Sequence, residues 1–538
     1  MALLTSVPMY GFRFPRNEVF SNHLSFFLTN QSFKNMKRFF LLSVLYVALA
    51  SCMVAQNSAA IQPKHEFRGA WMHIIGQKQY AEMTPEQTRQ YLIEQLDLLQ
   101  RTNCNAVIWQ IRPQADAAYK SELEPWTRWL TGEPGKAPNP VWDPLQFMIE
   151  QTHKRGMELH AWINPYRVTS SEEDKPAAGH IYYEHPEWFL KYADGKLYFD
   201  PGLPESRDFI DMVVRDILTR YDIDALHMDD YFYPYPVTGV EFPDTASYDA
   251  YGIGWDKNDW RRHNVDLLIE QLHNTIQEVK PWVRFGISPF GIWRNKESDP
   301  DGSETNGLQC YDALYADCPK WTAEGWVDYM VPQLYWELEH RLASDLVLMH
   351  WWNEHANGRH MYYGQAVNNV MSHRDIADEG GDTINPTQLD HKLRLQRAMD
   401  NVHGVTWWPA YSITSNFKGV LDSLETNQMS HPALIPTYSW LDDTAPHAVR
   451  DLNIKKVNGK KCLVWAPYKT DDPMQQAVRY VVYRFPKGKK GSLNNAENIL
   501  AITGETTYVL PDGGKGKWQY AVTALDRCWN ESDPAWKK

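Results

Sequence analysis

The chain has 538 residues, 43% hydrophobic and 22% charged, an ordinary globular composition that excludes collagen-like, low-complexity and wholly disordered chains. Lysine and arginine total 54 against 67 acidic residues, a net charge of −13, which argues against a nucleic-acid partner because phosphates need a basic face. Six cysteines without a CxxC pair exclude a disulfide-dense scaffold and a zinc ribbon. The unusual feature is 23 tryptophans and 29 tyrosines, rigid flat rings that serve as core and also as surfaces on which sugars stack.

Residues 1–51 read as an address. Arg13, Arg16, Lys34, Lys37 and Arg38 face one acid, Glu18, and Lys37-Arg38 precede an apolar run from Phe39 to Ala50. This is a secretory signal, with a run too short to span a bilayer. The stretch before Met36 is longer than such a signal needs, so Met36 is the better-fitting start. Leu49-Ala50-Ser51-Cys52 resembles the bacterial lipobox, which implies cleavage before Cys52 and lipid on that residue; plain secretion with Cys52 incidental is the alternative. In an oxidising compartment Cys310 with Cys318, and Cys462 with Cys528, are candidate pairs, while Cys104 reads as a buried thiol.

A linker over 52–64 leads into apolar runs alternating with stretches of helical period, the sign of parallel strands joined by helices. The expected strands are 67–74, 105–111, 157–163, 224–229, 283–288, 327–334, 360–366 and 404–409. The expected helices are 84–102, 143–155, 207–220, 258–279, 311–324, 340–356, 386–402 and 417–427. Thr84-Pro85-Glu86-Gln87 is a capping box and Gly156 a helix stop. Eight such units over 65–435 predict an α/β fold, a closed (β/α)8 TIM barrel; no GxGxxG or GxxxxGK[ST] supports a doubly wound nucleotide-binding sheet. After a linker at 436–445 the pattern changes to short alternating runs between Gly-Lys and Asp-Gly turns, predicting a small all-β sandwich over 446–538.

Barrel chemistry sits at the carboxyl ends of the strands, and residues of one parity face the axis together. The second strand offers Gln110 and Arg112, and the third His160, Trp162, Asn164 and Tyr166, with Arg167 next. The fourth offers His227 and Asp229, with Asp230 on the other parity and Tyr231 after it. The sixth offers Gln333, Tyr335 and Glu337 beside Trp336; Trp408 ends the eighth. Each has a plain reading: Asp230 caps a loop or pairs with Arg112 or Arg167, His227 is a hydrogen-bonded core histidine, the tryptophans are core, and Glu337 is a solvated carboxylate. The conjunction outweighs these, because burying so many polar groups beside carboxylates costs several kcal/mol. Two carboxylates on different strands are what glycoside hydrolysis requires, one as acid and one as nucleophile or base. Asp229 or Asp230 suits the ionised role and Glu337 the proton donor, or the reverse.

Phe67-Arg68-Gly69-Ala70-Trp71, Trp109-Gln110-Ile111-Arg112-Pro113, His160-Ala161-Trp162-Ile163-Asn164-Pro165-Tyr166-Arg167 and His227-Met228-Asp229-Asp230-Tyr231-Phe232-Tyr233-Pro234 resemble the glycosyl-hydrolase-like family ten. Gly286 to Arg294 and Pro332 to Trp336 extend the match, which covers roughly 65–435; His227-Met228 departs from it where His-Phe is expected. The resemblance implies a TIM-barrel glycosidase of the bacterial envelope, periplasm-facing on the outer membrane, without cofactor. Its glycan substrate would be peptidoglycan strands stripped of peptide, as for some relatives. The tail, from Trp518 to Asp526 with Asn530-Glu531-Ser532 following, resembles the end of a fibronectin type III module. Two other readings stand beside it: a non-catalytic glycan-binding lipoprotein using loop aromatics such as Trp126, Trp129 and Trp188, and a metal-dependent hydrolase with His73, His160, His227 and Asp229 as zinc ligands.

Overall fold

The computed structural model describes residues 62–372, 376–377, 383–384, 387–488 and 491–537. The expected signal, Cys52 and most of the first linker lie outside the described residues. Eight parallel strands close into a barrel in sequence order: β1 (Phe67–Met72), β2 (Ala106–Arg112), β3 (Glu158–Ile163), β4 (Ala225–Met228), β5 (Arg284–Ile287), β6 (Tyr329–Met330), β7 (His360–Ala366) and β8 (Val402–Trp408), with β8 pairing back to β1. Helices α1 (Pro85–Arg101), α2 (Pro144–Lys154), α3 (Pro204–Arg220), α4 (Lys257–Val279), α5 (Cys318–Ala323), α6 (Asp345–Glu354) and α7 (Leu389–Arg397) ring it. The capping box at Thr84 forms with Gln87.

Two expected helices depart from their expected bounds, one broken and one starting late. Over 311–324, Tyr315 takes a left-handed φ of 58°, leaving Cys310–Ala313 and α5 as separate short pieces. Over 417–427, Asn416, Lys418 and Gly419 all have positive φ and delay the helix to Val420, from which it runs to Gln428 with its last turns in π form. Helical period in sequence cannot register such local reversals.

The barrel interior is aromatic. Phe67 stacks on Tyr362 with ring centroids 4.0 Å apart, and Tyr329 lies 5.2 Å from Tyr362. This inner cluster runs without a break into Tyr438 and then into Val481, Tyr483, Ala521, Leu525 and Trp529 of the C-terminal region. That region is all-β, as expected: a three-stranded antiparallel sheet of β9 (Arg450–Val457), β10 (Lys460–Ala466) and β13 (Thr507–Val509), and a four-stranded one of β11 (Arg479–Pro486), β12 (Ile499–Thr503), β14 (Trp518–Leu525) and β15 (Ala535–Lys537). Leu463 and Trp465 from one sheet and Tyr480, Val482, Tyr520 and Val522 from the other share a second core.

The module covers the amino-terminal end of the barrel, opposite the catalytic end of such folds. Buried Arg479 donates to Asp224 at 2.5 Å and to the Met157 carbonyl at 3.2 Å. Arg527 pairs with Asp222 at 2.8 Å, and its carbonyl accepts from Arg284 at 2.8 Å. Gly156, which ends α2 at φ 72°, also lets the Ile502 backbone approach so closely that a Cβ there would sit 2.7 Å from it. The five described cysteines are all buried and free, Cys310 and Cys318 hydrogen-bonding as thiols. The candidate pairs 310–318 and 462–528 are therefore not bonded in this structure.

Candidate active site

A cleft of about 330 Å³ opens at the carboxyl end of the barrel, lined by thirteen residues that include Asp229, Asp230, Gln110, Trp162, Arg167 and Trp408. That size lies within the range of small-ligand sites. β4 ends at Met228, so the chain leaves the pleat there. Asp229 and Asp230, expected on opposite faces, consequently both line the cleft.

Asp229 is held from two sides. The Trp162 indole donates to Oδ2 at 3.0 Å and the Asn164 amide to Oδ1 at 3.0 Å. Asn164 is itself oriented, its carbonyl accepting the Arg167 backbone N–H at 2.8 Å. Burial pushes the Asp229 carboxyl up to about 6; the Arg167 charge opposes this and the Asp230 charge adds to it. Asp230 is raised too, chiefly by burial, against hydrogen bonds from the Tyr235 hydroxyl and the Gln333 amide. Gln333 in turn donates to the Ser288 carbonyl at 3.0 Å.

The walls are aromatic. Trp408 meets Trp71 and Trp162 edge-on at 6.4 and 6.1 Å, and Tyr335 meets Trp71 at 6.5 Å. Arg167 is anchored by the Pro113 carbonyl at 2.9 Å and lies 5.0 Å over the ring of Tyr231, which is 37% exposed. Gln110 accepts from the Ile74 and Ile75 N–H groups at 3.2 and 3.1 Å, and its buried amide nitrogen has no protein partner.

Residues 66–379 match the glycosyl hydrolase-like 10 family. The chain is 38% identical over 510 residues to glycosyl hydrolase YngK of Bacillus subtilis, covering 93% of this chain and 98% of that protein. It is 37% identical over 331 residues to glycosyl hydrolase DigH of Escherichia coli K12, covering 59% and 74%. The chain belongs to the glycosyl hydrolase-like 10 family. Among solved structures, the glycoside hydrolase domain of PgaB (BpsB) from Bordetella bronchiseptica is similar with a TM-score of 0.43 at 12% identity, covering 68% of this chain and 99% of that one.

In this glycosyl hydrolase-like 10 member, a glycosidase, the cleft gathers nine of the expected site residues: Gln110, Trp162, Arg167, Asp229, Asp230, Tyr231, Gln333, Tyr335 and Trp408. Others stand elsewhere. Arg112 does not face the carboxylates; it is fully buried in a pair with Glu124 at 2.6 Å and donates to the Asn164 and Pro165 carbonyls. Tyr166 is core, its carbonyl accepting from Phe199. Glu337 and Trp336 are not among the lining residues of the cleft, whereas Asp229 and Asp230 are. Gln333 and Tyr335 keep their parity into the cleft although β6 ends at Met330, and the chain turns away after them. Trp336 packs on Phe290 at 5.5 Å, and the Glu337 carbonyl accepts the His340 and Asp345 amides as the chain turns into α6.

His160 and His227 both hydrogen-bond Tyr329, at 2.7 and 3.1 Å, which for His227 is the plain reading. Among the described residues no group of three or more His, Cys, Asp or Glu side chains is arranged to hold a metal ion. Of the loop tryptophans, Trp129 donates to Gln114 and Trp188 stacks on His185, both outside the cleft. The expected set omitted Trp71, His73 and Ser288 from the cleft wall, and Tyr235 as partner of Asp230. Trp71 and His73 share one parity at the end of β1, a signal the same strand rule carries.

Proposed function

We propose that this glycosidase cleaves a glycan of the bacterial cell envelope, with Asp229 and Asp230 as its catalytic pair. The observation that carries the reading is two buried, sequence-adjacent carboxylates in one tryptophan-walled cleft, both with raised proton affinity. Adjacent like charges take up protons in sequence, so the pair can hold one proton, one member an acid and the other a carboxylate. Asp229, pushed up to about 6, protonates the departing glycosidic oxygen. Asp230, where hydrogen bonds from Tyr235 and Gln333 oppose the upward push of burial, takes the carboxylate role and faces the positive charge that develops at the anomeric carbon. Trp408 supplies a ring for stacking and Gln110 a donor for a sugar oxygen.

The Lys37-Arg38 and Phe39–Ala50 signal ending at Cys52 supports lipid anchoring in the envelope, periplasm-facing on the outer membrane. Peptidoglycan strands stripped of peptide are the substrate favoured by the family resemblance. Incubation with intact peptidoglycan and with stem-free strands, products identified by mass, tests the substrate; no product from either would refute it. An aryl glycoside with a good leaving group tests the roles, since it needs no proton. Asp229→Asn should keep turnover on it while losing the natural glycan, and Asp230→Asn should lose both. Wild-type turnover of natural glycan by both variants would end the proposal.

A further inference from the structure

A chain of fully buried polar side chains runs down the barrel axis from the cleft to the C-terminal module, and its bonds admit one polarity. At the cleft end the Trp71 indole, which can only donate, reaches His227 Nε2 at 3.2 Å. His227 Nδ1 lies 3.1 Å from the Tyr329 hydroxyl, which lies 2.7 Å from His160 Nδ1. His160 Nε2 reaches Glu158 Oε2 at 2.8 Å. At the far end Glu158 Oε1 accepts from Arg284 and, at 2.5 Å, from the Trp529 indole of the module. Glu158, His160, His227 and Tyr329 have no exposed surface.

Glu158, ion-paired with Arg284, only accepts, so His160 Nε2 carries its proton and His160 Nδ1 accepts from Tyr329. The Tyr329 oxygen then accepts from His227 Nδ1–H, which leaves His227 Nε2 free to accept from Trp71. Both fixed ends demand the same direction, and every link is satisfied with neutral imidazoles. Ser288 Oγ, 3.1 Å from His227 Nε2, then donates instead to the Met228 carbonyl at 3.3 Å.

We infer that Glu158, acting through His160 and Tyr329, is a positioning residue for the cleft: it sets which nitrogen of His227 carries the proton, and so holds Trp71 in the cleft wall and leaves the Ser288 hydroxyl to the Met228 carbonyl. The consequence reaches the carboxylates, because the Ser288 carbonyl anchors Gln333, which donates to Asp230. The C-terminal module takes part through Trp529.

The isosteric change Glu158→Gln tests this. With two donors on the Oε1 side, the amide places its oxygen there and its NH₂ toward His160. Every proton in the chain then reverses, and His227 Nε2–H is set against the Trp71 N–H. Ring-nitrogen NMR of histidine-labelled protein, with the His227 signals assigned by their loss in His227→Gln, reads this directly. Wild type should carry the proton on Nδ1 and Glu158→Gln on Nε2. A wild-type proton on Nε2 overturns the inference without any variant. kcat of Glu158→Gln should fall about tenfold or more with KM held within about threefold, as small misplacements at a reacting site do. In a Tyr329→Phe background, where the chain is cut, the same change should move neither the His227 signals nor kcat. Equal losses of kcat in both backgrounds with an unmoved His227 would show a merely structural role and refute the inference. The kcat arm rests on the proposed glycan cleavage; the NMR arm does not, so the two failures are distinguishable.

Discussion

Replacing Arg479 with methionine should loosen the module from the barrel by about 3 kcal/mol at neutral pH. Arg479 and Asp224 are both nearly inaccessible, at 2% and 4% exposure, and breaking a buried pair from one side costs about 3–5 kcal/mol because a charge is left unpaired. The lower figure applies, since Asp224 keeps two donors, His153 Nε2 at 2.7 Å and the Leu159 N–H at 2.8 Å. Burial alone would raise the Asp224 carboxyl; the Arg479 charge, aided by His153 and Arg284, overrides it and holds the group well below its usual range. In wild type that stabilisation is present above the ordinary carboxylate value of about 4 and is lost only as pH falls through the lower folded value. In the variant the burial effect goes less opposed, so Asp224 binds a proton at higher pH and the unpaired charge is relieved. The penalty should therefore be largest near pH 7.5 and shrink toward about pH 4.5. Urea denaturation followed by tryptophan fluorescence at both pH values measures it, with a midpoint shift on the order of 1 M at the higher. A loss under about 1 kcal/mol at neutral pH, or a penalty that grows on acidification, would refute the reasoning.

Catalytic turnover should fall as pH rises through about 6, because Asp229 must carry a proton to donate one; a kcat/KM profile flat from about pH 5 to 8 would contradict the assignment. Trp408→Ala removes a half-buried ring from the cleft wall and should raise KM about tenfold with a smaller change in kcat, the scale of one lost aromatic contact. Glu337→Gln should leave kcat within about threefold of wild type, since the residue does not line the cleft; a loss of about a hundredfold would restore it as the acid.

The barrel was legible because strand and helix periods differ and eight apolar runs recur, and the parity rule found Gln110 and Trp162 on long strands. Past the ends of the short strands it held for Asp229, Gln333 and Tyr335 but missed Asp230. β4 stops before Asp229 and β6 at Met330, so side-chain direction past those points depends on loop paths that sequence does not encode locally. Arg112 illustrates a second limit: its partner Glu124 comes from the following loop, and pairing across a loop leaves no periodic trace. The axial histidines were readable as polar residues inside a strand, yet Glu158 and Trp529, 371 positions apart in the chain, could be joined only by the fold.

The buried thiols turn the chain into its own clock for opening. Burial pushes Cys104 up to about 11 and Cys528 to about 12, so an alkylating reagent at neutral pH meets almost no thiolate until a segment detaches. Cys528 lies where the module covers the barrel, whereas Cys310 and Cys318 lie in the barrel's own outer core. The order in which these sulfurs become labelled would tell whether the cover lifts before the cylinder comes apart.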